Sequence, residues 1–185
     1  MSSNILILSC GTRNKIVQYF KKELSSLGKV VATDCSELAP ALYEADSYNI
    51  VPRVEDPKYL DRILEICREN SIIAVFTLID PEISLLAKHR DKFVEVGTMP
   101  LVSSYDVVER SFDKFDFYLW LIEYGYKAAK TYTDKGQFYC DIERGKINYP
   151  VFLKPRRGSA SLNINKAFDQ EDVEFLMKQH PDLIK

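Results

Sequence analysis

The stretch NILILSCGTRNKIV, Asn4 to Val17, sets the architecture of the chain. Its first six residues, NILILS, form a continuous apolar run suited to a strand buried on both faces. Gly11 ends the run. Ile16, Phe20, Leu24 and Leu27 then recur on one helical face, with Lys21, Lys22 and Glu23 largely off it. Gly28 fits the cap after this helix. A strand followed at once by an amphipathic helix is half of a βαβ unit, and the rhythm repeats downstream.

KVVAT (29–33) reads as a second strand ending at Asp34, with a loop and short helix between Asp34 and Tyr48 and a third strand over 47–51. Asp56-Pro57 offers a carboxylate N-cap and a proline at the first helical position, and Leu60, Ile63, Leu64 and Cys67 follow at helical spacing. IIAVF (72–76) is the next buried strand. Asp80-Pro81 repeats the cap-plus-proline device, and Leu101-Val102 is a last, weaker strand. This alternation predicts an α/β fold, a Rossmann-like parallel sheet with right-handed crossovers.

After Ser103 the rhythm changes. Helices are expected over 105–110 and 113–124, the second carrying an apolar stripe of Phe115, Tyr118, Leu119 and Ile122. A short strand (127–132), a helix (135–144), a strand (150–154), a strand (162–167) and a helix (169–178) complete an α+β segment. The expected domains are residues 1–103 and 104–185.

Hydrophobic residues make up 46% of the 185 residues and charged residues 28%, as in ordinary globular proteins. The net charge of −2 argues against a broad nucleic-acid surface. Cys10, Cys35, Cys67 and Cys140 show no metal spacing and read as reduced thiols, and the two histidines, His89 and His180, lie beside no cysteine. No secretory signal and no bilayer-length apolar stretch is present, so the expectation is a cytoplasmic protein without a membrane partner.

Ligands of open parallel sheets bind at the carboxyl ends of the strands. Gly11 and Arg13 follow the first strand there, Asp34 ends the second, and Asp80 and Glu82 follow the fourth. These are candidate substrate-binding residues. Each has a plainer reading too: Gly11 as a tight turn, Asp34 bonding nearby amides, Asp80 as an N-cap. The turn CGTRNK is not GxGxxG, which fits a dinucleotide poorly. The second candidate is YPVFLKPRRGSASLN (149–163). Lys154 at the end of a buried strand, the forked donors Arg156 and Arg157, and Gly158-Ser159-Ala160-Ser161 suit phosphate; a basic surface turn is the alternative.

In their order and spacing, ILILSCGTRNKIV, VVATDCSELAPALYEAD, VFTLIDPEISLLAKH, VSSYDVVERSFDKFDFYLWLIEYGYKAAKTY and YPVFLKPRRGSAS together resemble the front part of the ATP-grasp superfamily, of the carbamoyl-phosphate synthase large-subunit kind. The resemblance implies a pre-ATP-grasp domain followed by an incomplete ATP-grasp subdomain. It implies Lys114 and Lys154 as the two nucleotide lysines, with Arg156, Gly158, Ser159 and Ser161 in or beside the phosphate loop. The implied reaction joins a small-molecule carboxylate to an amine or similar nucleophile through an acyl phosphate made from ATP, with Mg2+ held by ligands downstream of this chain.

The loop departs from the family's GSGSxG by Ala160 and Asn163, which removes glycine's positive-φ freedom at two positions. Leu162 stands where the family commonly has a basic residue. The expectation is therefore the N-terminal portion of a ligase, inert as this chain alone, with apolar surface open to self-association. A non-catalytic anion-binding or nucleotide-binding module with a degenerate loop is the alternative reading, and a dinucleotide-binding protein a third.

Overall fold

The computed structural model describes residues 3–158 and 160–180. The chain divides into two compact units, residues 1–108 and 109–185, five residues beyond the boundary expected from sequence.

Unit 1 is a parallel sheet. Its strands are β1 (Asn4–Ile7), β2 (Val30–Asp34), β3 (Ser47–Ile50), β4 (Ile72–Phe76) and β5 (Met99–Pro100), in the spatial order β3-β2-β1-β4-β5. The helices α1 (Asn14–Leu24), α2 (Tyr59–Glu69), α3 (Asp80–Lys88) and α4 (Arg90–Glu95) fill the connections, with a 3-10 turn over Pro40–Glu44. The alternation of side chains along a strand explains the layering. Ile5 and Ile7 of β1 join Val30 and Ala32 under Val17, Phe20 and Leu42. Leu6 and Leu8 point the other way, joining Val31 and Val75 against Tyr59, Ile63, Ile66 and Phe93. The expected parallel α/β sheet is therefore present, and both of its faces are covered.

Unit 2 contains most of the remaining secondary structure. Helix α5 (Tyr105–Phe112) leads into α6 (Lys114–Glu123), then α7 (Lys135–Glu143), β6 (Val151–Leu153), β7 (Asn165–Ala167) and α8 (Gln170–Gln179). The two strands pair antiparallel, Val151 opposite Ala167 and Leu153 opposite Asn165. The core beneath them is small: Leu153, Ala167 and Val173, with Phe138, Tyr139, Tyr149, Val151, Leu176 and Met177 partly buried against it. Every residue of α6 and α7 is at least partly exposed.

Several local expectations are corrected. Helix α1 ends at Leu24 with Ser25 as its C-cap, so Gly28 is not a cap. Its role is close approach: a Cβ there would lie 2.3 Å from the Ser3 carbonyl oxygen. Asp80 is the first residue of α3 rather than its N-cap, which is Ile79. The turn ahead of α3 is made by Thr77, whose hydroxyl accepts the Ile79 amide at 3.2 Å. Residues 127–132 form no strand, and 160–163 make a turn, so β7 starts only at Asn165. The apolar stripe of α6 does not build a core: Leu119 and Ile122 are each 49% exposed. No helix among the described residues is long and apolar enough to cross a membrane.

Candidate functional site

In unit 1 the strand order reverses between β1 and β4, the position where open α/β sheets form their ligand crevice. The residues after those strands meet on one carboxylate. Glu82, fully buried in the first turn of α3, accepts hydrogen bonds from Ser9 at 2.5 Å, from the Tyr59 hydroxyl and from Thr77. Three hydroxyl donors replace the water that a buried carboxylate would otherwise need. Burial and the neighbouring Glu82 carboxylate push the Tyr59 hydroxyl far above its ordinary pKa, so the phenol stays protonated and donating.

Asp34 is equally committed. One carboxylate oxygen accepts the Gly11 amide at 2.8 Å and the other the Ser36 amide at 2.9 Å. Gly11 holds φ +52, the left-handed region, which lets the turn after β1 present its amide to Asp34. Half-buried Arg13 folds back so that its guanidinium donates to the Ser9 carbonyl at 3.1 Å. Burial and the Asp34 charge raise the Cys10 thiol to about 11, so it is a neutral core group at physiological pH. The structure thus joins Gly11 to Asp34, Arg13 to Ser9 and Ser9 to Glu82. Sequence reasoning missed Ser9, Tyr59 and Thr77; for Ser9 and Thr77 the available signal was a hydroxyl residue at the end of each of two apolar runs.

Unit 2 holds a cleft of about 680 Å3 whose lining includes Lys114, Phe115, Tyr132, Phe152, Lys154 and Met177. That volume lies in the range of small-molecule sites. Lys114 opens α6 and Lys154 follows β6, so a helix start and a strand end bring the two lysines to one cavity. Lys154 is exposed, while Lys114 is half-buried and donates from Nζ to the Gly158 carbonyl at 2.8 Å.

Both arginines are held in ion pairs, and Arg156 also lines the cleft. The Arg156 Nε contacts both Asp113 carboxylate oxygens, at 2.7 and 2.8 Å, and Nη2 donates to Asp116 at 2.7 Å. Arg157 pairs with Glu109 at 2.7 Å and stands over the Phe112 ring. Asp113 also caps α6 by accepting the Phe115 and Asp116 amides. Burial opposes its ionisation, but Arg156 and those amides outweigh it and hold the carboxyl below its ordinary value of 3.8.

In the loop, Ser159 lies outside the described residues. Ala160, Ser161 and Asn163 adopt φ of 55, 58 and 57°. The backbone therefore enters the left-handed region at three places without a glycine. Asn tolerates that conformation better than Ala or Ser does. Among the described residues no group of three or more His, Cys, Asp or Glu side chains could hold a metal ion.

Residues 5–101 match the family described as PylC-like, N-terminal domain. The whole chain is similar in fold to several solved enzymes. The ADP complex of N5-carboxyaminoimidazole synthetase from Staphylococcus aureus aligns with TM-score 0.67 at 17% identity, covering 95% of this chain and 43% of that one. The biotin carboxylase domain of Hydrogenobacter thermophilus 2-oxoglutarate carboxylase, solved with MgADP, ADP and bicarbonate, aligns with TM-score 0.65 at 20% identity, covering 99% and 40%. The L-amino acid ligase of Bacillus licheniformis aligns with TM-score 0.65 at 17% identity, covering 96% and 42%. The chain thus spans about two-fifths of the length of these structures, and at such identities the likeness is one of fold. No curated protein matches the chain.

Proposed function

We propose, from the premise that this chain belongs to the PylC-like family through its N-terminal domain, that it is the N-terminal portion of an ATP-dependent ligase joining a carboxylate to an amine or similar nucleophile. The supporting observation is that Lys114 and Lys154, on separate elements, line one cleft in unit 2. Lysines and apolar side chains lining one cavity suit a nucleotide: the ring system takes the apolar lining and the phosphates take Lys114 and Lys154. When bound, ATP would supply the phosphoryl group for carboxylate activation. Lys154 would steady phosphate charge from the strand end and Lys114 from the helix start, with Gly158 and Ser161 in the covering loop. Ser159 belongs to the same loop in this reading.

In unit 1, Arg13 is the residue suited to an anionic substrate, and Gly11, Asp34, Asp80 and Glu82 shape the edge around it. The reading assigns this chain nucleotide binding, in a cytoplasmic setting and with no nucleic-acid partner.

Thermal-shift titration of the chain with ATP, ADP and NAD is the test. ATP and ADP are expected to raise the melting temperature, NAD is not, and Lys154→Ala should abolish the response. An equal response to NAD, or none to ATP, would sink the proposal.

One observation favours a second reading. Left-handed Ala160, Ser161 and Asn163 make a loop that differs from a glycine-rich one, in keeping with a non-catalytic anion-binding module. Under that reading inorganic pyrophosphate stabilises the chain as strongly as ATP does.

A further inference from the structure

We propose that Asp113 and Arg156 form a positioning clamp that sets Lys114 against the loop at Gly158; the inference deepens the nucleotide reading and rests on it for its functional meaning. Asp113 does not line the cleft and acts through Lys114, whereas Arg156 lines the cleft and in this role also acts through Lys114.

The geometry assembles from contacts between the start of α6 and residues 156–158. Asp113 is 4% exposed and uses its carboxylate twice, as the cap of α6 and as the acceptor for both contacts from Arg156 Nε. The next residue in the chain is Lys114, whose amide donates to the Arg156 carbonyl at 3.0 Å. Its Nζ donates to the Gly158 carbonyl two residues further along the same segment. Main chain and side chain of Lys114 therefore both grip the strand-to-loop segment 156–158, and the guanidinium of that segment grips the residue before Lys114. The closed circuit is completed by Arg156 Nη2 on Asp116 and by the guanidinium standing over the Phe115 ring, 5.7 Å from its centroid.

A lysine side chain has four rotatable bonds and much rotamer freedom to lose on being fixed. The contact of Nζ with the Gly158 carbonyl, from a backbone held by the Asp113 cap and the Arg156 carbonyl, removes part of that loss in advance, which is how preorganisation raises affinity. A guanidinium suits this task better than a single ammonium, because its Nε on Asp113 and its Nη2 on Asp116 are two directed contacts that define an angle as well as a distance.

The experiment reads the lysines directly. Trace acylation with acetic anhydride, followed by peptide mass spectrometry, gives the relative reactivity of Lys114 and Lys154. Asp113→Asn keeps a cap side chain but loses the ion pair with Arg156, and Arg156→Gln removes the guanidinium. Each is expected to raise Lys114 labelling several-fold while Lys154 labelling stays constant, and Arg156→Lys should restore it in part. Unchanged Lys114 labelling in both variants would overturn the clamp, as would an equal rise at both lysines, which signals general loosening.

If neither variant folds, the unaltered protein decides. The Arg156 Nε proton is expected as a slowly exchanging guanidinium resonance, and exchange at the bulk rate would overturn the proposal. ATP protection of Lys154 in the unaltered chain is scored separately. Its absence counts against the nucleotide reading, while the labelling shift still reports on the clamp.

Discussion

In unit 1 the carboxylate of Glu82 is fully buried and satisfied by three neutral hydroxyls, whereas in unit 2 the carboxylate of Asp113 is nearly as buried but satisfied by a guanidinium that is itself 36% exposed. The surroundings differ in the same sense. Glu82 sits beneath a five-stranded sheet covered on both faces. Asp113 sits at the head of a helix with no fully buried residue, in a unit whose core centres on Leu153, Ala167 and Val173. Unit 1 is held by apolar area, with a polar cluster sealed inside it. Unit 2 has little apolar area to bury and relies on charged staples such as Arg156 to Asp113 and Asp116, Arg157 to Glu109, Lys135 to Glu174 and Lys146 to Asp141. Pairs exposed on both sides, such as Lys135 with Glu174, each contribute little, so the second unit draws on many small terms beside the larger one at buried Asp113.

The largest expected effect falls on the sealed cluster. Glu82→Ala leaves the Ser9, Tyr59 and Thr77 hydroxyls without their acceptor and opens a cavity, an expected loss of about 4 kcal/mol. Urea denaturation measures it, and a loss near zero would show that the hydroxyls find other partners and that the contrast between the units is shallow. Asp113→Ala removes both cap and ion pair, costing about 3 kcal/mol near neutral pH.

That second loss should depend on pH in a defined direction. The Asp113 carboxyl titrates below its ordinary value in the folded chain. Its ionised form therefore stabilises the fold above pH 3.8, and the contribution disappears as pH falls through the lowered value. The gap between the parent chain and Asp113→Ala should narrow on acidification, and a gap that widened would reverse the assignment.

Gly28→Ala comes next, at about 2 kcal/mol, because the new methyl meets main chain rather than a flexible side chain. The smallest change has the opposite sign. Ala160→Gly removes a left-handed alanine from the unit 2 loop and should stabilise by about 1 kcal/mol, visible as a raised melting temperature. Destabilisation there would mean that the loop gains from the methyl group.

The units also differ in how readable they were. The apolar run at β1 declares itself because a two-sided buried strand must be apolar at every position, and Ile72–Phe76 is as apolar although Ile73 is 46% exposed. Helix α4 escaped because its short span sends one large side chain, Phe93, into the core and shows no repeat. In unit 2, Lys154 was legible at the end of its apolar strand. The true engagement of Arg156 was not, since its partners Asp113 and Asp116 lie 43 and 40 positions earlier and ion pairing leaves no local pattern. Glu82 shows the same limit in unit 1. A carboxylate at a helix start reads as a surface group until the fold brings Ser9 and Tyr59 to it from 73 and 23 positions away.

The location of β1 has a mechanical side. It pairs in parallel with β2 on one edge and β4 on the other, and the residue just before it, Ser3, donates to the Leu27 carbonyl at 2.8 Å beside Gly28. A pulling force applied at the amino end therefore meets two hydrogen-bond ladders loaded in shear together, with no outer strand to peel away first. Under tension from that end, unit 1 should yield in one abrupt event at high force.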